Sequence, residues 1–232
     1  MEKYTYLIID FVSVLFPFLL SFDKKVAFYK TWNRLFPAIF IVGVFFVVWD
    51  IAFTNLQVWS FNAKYIVGIK FFNLPIEEYL FFLCVPYSCV FIYDCYNAYF
   101  PQINPIKKPL QLALILSVLL LIVAAVNHNK YYTFYNCFFA SALLLMQVFI
   151  FKGAYMGRFF VSYMIVLIPF LIVNGLLTAL PVVEYNNTEN LGIRIFTIPV
   201  EDTMYGMLNM LGVVTIMEQM KNKNHSIKSI HG

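Results

Sequence analysis

Seven stretches of this chain are apolar for long enough to cross a bilayer, which takes about 20 residues in a helix. They run 3–21, 35–54, 75–96, 110–126, 131–151, 159–180 and 199–220. The first has only a thin charged start, and no small-residue cleavage site follows it. It therefore reads as a helix and not as a removable signal peptide. The pattern predicts an all-α, multi-pass membrane protein of about seven transmembrane helices. Composition agrees: 62% of the 232 residues are hydrophobic and 12% are charged, and mean hydropathy is +0.77. A soluble domain is closer to half apolar and a quarter charged.

Basic residues orient the helices, because cytoplasmic loops carry the excess of Lys and Arg. One side receives Lys24, Lys25, Lys30, Arg34, Lys107, Lys108, Lys152, Arg158, Lys221, Lys223 and Lys228; the other receives Lys3, Lys64, Lys70, Lys130 and Arg194. The expected topology has the N-terminus outside and the C-terminus in the cytoplasm, and the expected location is the cell membrane. The net charge of +4 lies mostly in those loops and implies no nucleic-acid partner. Cys84, Cys89, Cys95 and Cys137 fall within apolar spans without paired metal-ligand spacing. They read as small apolar residues.

A repeat overlies the hydrophobic pattern. Pro75-Ile76-Glu77-Glu78 returns as Pro199-Val200-Glu201-Asp202 after a step of 124 residues. The same step relates Arg34 to Arg158, Thr54 to Thr178, Asn62 to Asn186, Gly68 to Gly192 and Phe72 to Phe196, and sets Asp50 against Asn174 and Asp94 against Glu218. Spans one to three thus map onto five to seven, and span four is left over. A linker that crosses the membrane gives both three-helix units the same orientation, the parallel kind of repeat. The expected organisation is a first unit 1–109, a linker helix 110–126, a second unit 127–220 and a basic cytoplasmic tail 221–232. Both acidic motifs then open helices from the outer side. The connectors 55–74 and 181–198 are long for helix connections. They are read either as a roof over a cavity or as simple loops joining tilted helices.

Proline at a helix start followed by acids is ordinary capping chemistry. Adjacent acids on a helix nevertheless point about 100° apart, so one capping role does not easily serve both. Carboxylates that face a bundle interior are functional candidates. If the pairs meet, one carboxylic acid kept protonated is a general acid and an ionised neighbour is a base. Asp50 and Asn174 are placed to hydrogen-bond to the motifs. Tyr79, Phe81, Phe82, Tyr87, Phe91, Tyr93 and Tyr205 supply aromatic faces, which stabilise a developing cation without attacking it. Asp10 and Asp94, lone acids in apolar spans, read as satisfied structural partners.

Other chemistries lack their residues. His128, His225 and His231 all lie in loop or tail, which argues against haem and histidine-rich di-iron sites. No G-x-G-x-x-G follows a strand, no aspartate-rich diphosphate motif occurs, and the seventh span has no lysine before Lys221 for a retinal Schiff base. Cofactor-free acid–base work is left, with no cofactor and no metal expected.

The paired P-x-E-[ED] motifs, one in each three-helix unit, resemble those of the lycopene cyclases of heterodimeric type, in fused single-chain form. The likeness extends to about Gln219. It implies one composite site that protonates the terminal double bond of each ψ-end of lycopene. The chain closes through a carbocation, and proton loss gives β-ionone rings, so that β-carotene forms via γ-carotene. It implies an isomerase of carotenoid biosynthesis with Glu77, Glu78, Glu201 and Asp202 as proton donor and acceptor. Asp50, Asn174, Tyr79, Phe81 and Tyr205 would lie around an apolar carotenoid. Membrane lipid surrounds such a protein, and other carotenoid-biosynthesis enzymes are candidate partners. A C50-carotenoid or other ring-specific cyclase is the nearest alternative. A small proton-coupled transporter is the alternative of another class, and Pro17, Pro37, Pro86 and Pro169 keep it open.

Overall fold

The computed structural model describes the backbone of residues 2–230 and side chains up to Asn222, so most side chains of the expected basic tail lie outside the described residues. The apolar runs form α-helices: α1 (Thr5–Leu20), α2 (Trp32–Asn55), α3 (Ile76–Tyr99), α4 (Pro109–Val126), α5 (Tyr131–Met146), α6 (Met156–Ala179) and α7 (Glu201–Ile230). A π-helical turn, Gln147–Phe151, continues α5. Six helical segments, those containing α1 to α6, are long and apolar enough to cross a membrane. α7 runs on through the basic stretch that begins at Lys221, which makes it the most polar of the seven.

Large apolar side chains point outward all along these helices: Ile8, Phe11 and Phe16 on α1, Phe40 and Val48 on α2, Ile115 and Ile122 on α4, and Ile168 and Ile172 on α6 are exposed. Apolar surface on that scale fits contact with lipid rather than with water. The interior is aromatic. Phe46 stacks on Trp49 at 5.7 Å and meets Tyr205 edge-on at 4.8 Å, an arrangement favoured by ring quadrupoles. Prolines sit inside α1, α2, α3 and α6, where each removes an intrahelical hydrogen bond.

The connectors contain short strands that helix periodicity does not announce. β1 (Trp59–Phe61) pairs antiparallel with β4 (Val183–Tyr185), and Ser60 lies opposite Glu184. Those two residues are related by the same 124-residue step, so the ribbon joins equivalent parts of the two connectors. β2 (Lys70–Phe71) pairs with β3 (Leu74–Pro75), and β5 (Arg194–Ile195) with β6 (Ile198–Pro199). The β2–β3 turn uses Phe72 and Asn73, both at positive φ, 48° and 66°, as a two-residue type I′ hairpin requires. These hairpins correct the expected helix starts. Pro75 caps α3 from an extended conformation and Pro199 ends β6, so neither proline is a first helical residue.

Candidate functional site

In each motif the two acids diverge, as their 100° separation on a helix requires. Glu77 turns back to its connector, where Oε1 accepts the Val67 N–H at 2.6 Å. Glu201 does the same with the Leu191 N–H at 2.7 Å and also accepts the Thr133 hydroxyl at 2.7 Å. These two carboxyls hold loop to helix. Their other oxygens, Oε2 in both, are buried without a hydrogen-bond partner.

Glu78 and Asp202 face the opposite way, into a single cavity of about 60 Å³ walled by both halves of the chain. In the first half, Glu78 accepts the Tyr6 hydroxyl and lines the same wall as Asp50, whose carboxyl it neighbours. Asp50 in turn accepts the Tyr205 hydroxyl at 2.7 Å, a bond that crosses from α7 to α2. In the second half, Asp202 accepts three bonds, from the Tyr132 hydroxyl at 2.6 Å, the Tyr185 hydroxyl at 2.9 Å and the Asn174 amide at 3.1 Å. Burial, and then the Asp202 carboxyl, push the Tyr185 hydroxyl well above its ordinary pKa, so it remains a donor. The β1–β4 ribbon closes one end of the cavity through Trp59, Phe61, Val183 and Tyr185. The connectors therefore form a roof.

Of the residues expected around a substrate, Asp50, Asn174, Phe81 and Tyr205 line this cavity. Tyr79 does not. It donates to the Phe71 carbonyl at 3.0 Å and lies in a separate surface groove between α2 and α3, because one residue beyond Glu78 on a helix is already turned away. Tyr87, Phe91 and Tyr93 are also remote. Tyr87 packs on Phe28 at 5.2 Å and Phe91 on the same ring at 5.4 Å, while Tyr93 donates to Glu218 at 3.2 Å. Asp10 departs from its expected role, since both its carboxyl oxygens are buried without a partner. Asp94 lies near Arg34, Glu218 and Lys221 in a polar pocket away from the cavity.

Tyr6, Tyr132 and Tyr185 were not anticipated. Tyr6 and Tyr132 are equivalents that the 124-residue step misses, because α1 and α5 are related by 126 residues. In both, the backbone N–H at this position donates to a connector carbonyl, Tyr65 at 3.1 Å and Glu189 at 2.9 Å. The signal was available as Tyr6-x-x-x-Asp10 against Tyr132-x-x-x-Asn136, one face of a helix in each case.

The family model for lycopene cyclase matches residues 3–96 and 129–220. The chain belongs to the lycopene cyclase family. The match falls in two segments, as a fused single-chain form carries them, and the interval between contains α4. No curated protein and no solved structure matches the chain. Membership of the lycopene cyclase family makes this a membrane-embedded carotenoid cyclase, an enzyme of isomerase type.

Proposed function

We propose that the chain is a lycopene β-cyclase in which the Asp50–Glu78 pair delivers the proton and Asp202 removes one. The observation that carries this reading is the convergence of Glu78 and Asp202, one from each motif, on one aromatic-walled cavity. Ionised carboxylates only accept hydrogen bonds, so two carboxyls in contact need a proton between them. Asp50 and Glu78 neighbour each other in the cavity wall, and in this scheme they share one proton. Asp202 has instead three neutral donors, the surroundings of a hydrogen-bond acceptor.

The steps balance without a co-reactant. The pair protonates the terminal alkene of a ψ-end, leaving a tertiary carbocation. The π-electrons of an internal double bond attack it, forming the ring C–C bond and moving the cation into the ring. Loss of the adjacent ring proton to Asp202 creates the β-type double bond. Trp59, Phe81, Phe82 and Tyr205 line the space where the cation travels, and their faces stabilise it without nucleophilic capture. The substrate is an apolar carotenoid and the solvent around the protein is lipid. Glu77 and Glu201 act in this scheme by holding the connectors, and no cofactor or metal takes part.

The fold reading that goes with it has all seven helices crossing the cell membrane as two parallel three-helix repeats, 1–109 and 127–220, joined by α4. The N-terminus is outside and the C-terminus in the cytoplasm. Paired contacts such as Val67–Glu77 and Leu191–Glu201 and the Ser60–Glu184 register support that symmetry.

The test is expression in lycopene-accumulating cells with pigment analysis. Bicyclic product with β-rings is expected, lost in Glu78→Gln and in Asp202→Asn. Unchanged lycopene beside well-inserted protein would sink the reading, and ε-rings or cyclised C50 pigments would replace it with the ring-specific alternative.

A further inference from the structure

The cavity is too small for a carotenoid, and its wall shows where the rest of the molecule goes. Phe81, Val85, Cys89, Val166, Phe170 and Asn174 line the cavity on one side and a second, larger hollow of about 430 Å³ on the other. That hollow is a groove between α1, α3 and α6. It follows α1 from Ile8 to Pro17, roughly 14 Å at 1.5 Å per residue.

The rim opens on the lipid-facing surface, where Ile8, Val12, Phe16 and Ile172 are each more than half exposed. Its few polar side chains are already engaged. The Ser13 hydroxyl donates to the Asp10 carbonyl at 2.7 Å, and the Ser88 hydroxyl reaches the Ser13 and Cys84 carbonyls, both at 2.9 Å. Asn174 is committed to Asp202. A polar ligand would find nothing to bind along this wall, whereas a hydrocarbon chain loses nothing there.

The repeat implies a second groove between α5, α7 and α2, but aromatic rings fill that place. Phe139 meets Phe45 at 5.3 Å and Trp49 at 5.1 Å, and Trp49 meets Tyr205 at 5.3 Å. At the junction of the open groove with the cavity, Gly206 makes room for the Phe170 ring: a Cβ there would stand 3.1 Å from it.

We infer that the α1–α3–α6 groove is the binding subsite for the polyene chain of the substrate and its lateral route from the lipid, with the end to be cyclised passing Phe81 and Phe170 into the acid cavity. The inference rests on the cyclase reading. Entry through this groove also has the two ends of one carotenoid cyclised in successive visits.

The experiment fills the mouth and leaves the acids untouched. Val12→Trp and Ile172→Trp place bulk on residues 52% and 61% exposed, and Val48→Trp is the control, 62% exposed in the groove between α2 and α3. At limiting membrane lycopene, the mouth variants are expected to cyclise about tenfold more slowly, with recovery as lycopene rises; the control stays within about twofold. A second measurement bypasses chemistry. Lycopene co-purifying with inserted Glu78→Gln protein is expected to drop about fivefold when Ile172→Trp is added. Mouth variants that cyclise and retain lycopene like their parents overturn the groove, as does equal impairment by Val48→Trp. If the unmodified chain forms no ring, the cyclase reading fails and takes the groove with it.

Discussion

The two halves meet at one cavity but equip it differently. In the first half, a carboxyl stands beside a carboxyl, Asp50 against Glu78. In the second, Asn174 replaces the supporting acid and Asp202 collects donors from Tyr132, Tyr185 and Asn174. Duplication supplied the same backbone twice, and a few substitutions, Asp50 against Asn174, Glu78 against Asp202 and Phe61 against Tyr185, separate what we propose as a proton-holding arrangement from a proton-accepting one. A pair of groups with opposed protonation is what acid–base catalysis needs.

The comparison breaks most sharply at the two acids themselves. Glu78→Gln and Asp202→Asn should each lower ring formation by about 100-fold or more, the range general acid–base groups command; pigment analysis of matched membrane fractions checks this. Equal activity in either variant removes that half from the chemistry. Next come the supporting positions. Asp50→Asn gives the first half the character of the second and should cost about 30-fold. Asn174→Asp supplies Asp202 with an acid neighbour and should cost about tenfold, with the loss growing as pH falls and the new pair takes up a proton. Initial rates in membrane vesicles across pH distinguish the two.

Tyr132→Phe removes one donor from Asp202 and should slow turnover by about tenfold, with rescue expected from no aliphatic residue at that position. The outer acids should move stability instead of chemistry. Glu201→Ala strands the Leu191 N–H and the Thr133 hydroxyl, at about 1–3 kcal/mol for each unsatisfied group. A lower melting temperature in detergent, with residual turnover per folded molecule within about threefold, is the expected result. Smallest is Asp10→Asn, which copies Asn136 of the second half. It should leave turnover within about twofold, and a larger loss would bring Asp10 into the proton path.

Much of the fold was legible because length and hydropathy decide whether a segment spans a bilayer. Most helix ends moved by only a few residues, from 75–96 to Ile76–Tyr99 for α3, for example, but α7 runs on to Ile230, well past the expected end at 220. Pro75-Ile76-Glu77-Glu78 pointed to a helix start that lines the shared cavity, and the repeat brought Asp50 and Asn174 to the same wall. The sequence could not say which acid of each pair faces inward, since that depends on the rotational phase of α3 and α7 in the bundle. Tyr79 shows the same limit, being adjacent to Glu78 in sequence and on another face in space. The β1–β4 ribbon was illegible for a different reason. Three-residue strands carry too little alternation to register, and their pairing joins residues 59–61 to 183–185 across most of the chain.

That ribbon has a consequence for assembly. A half inserted alone would display the unpaired edge of its own short strand and half of an open cavity, with the acids exposed. Pairing of Ser60 with Glu184 brings the two connectors together and covers the acids in one event. The strand pairing thus joins the halves where the cavity is closed, and on the proposed mechanism a half without its partner lacks one of the two proton-transfer groups.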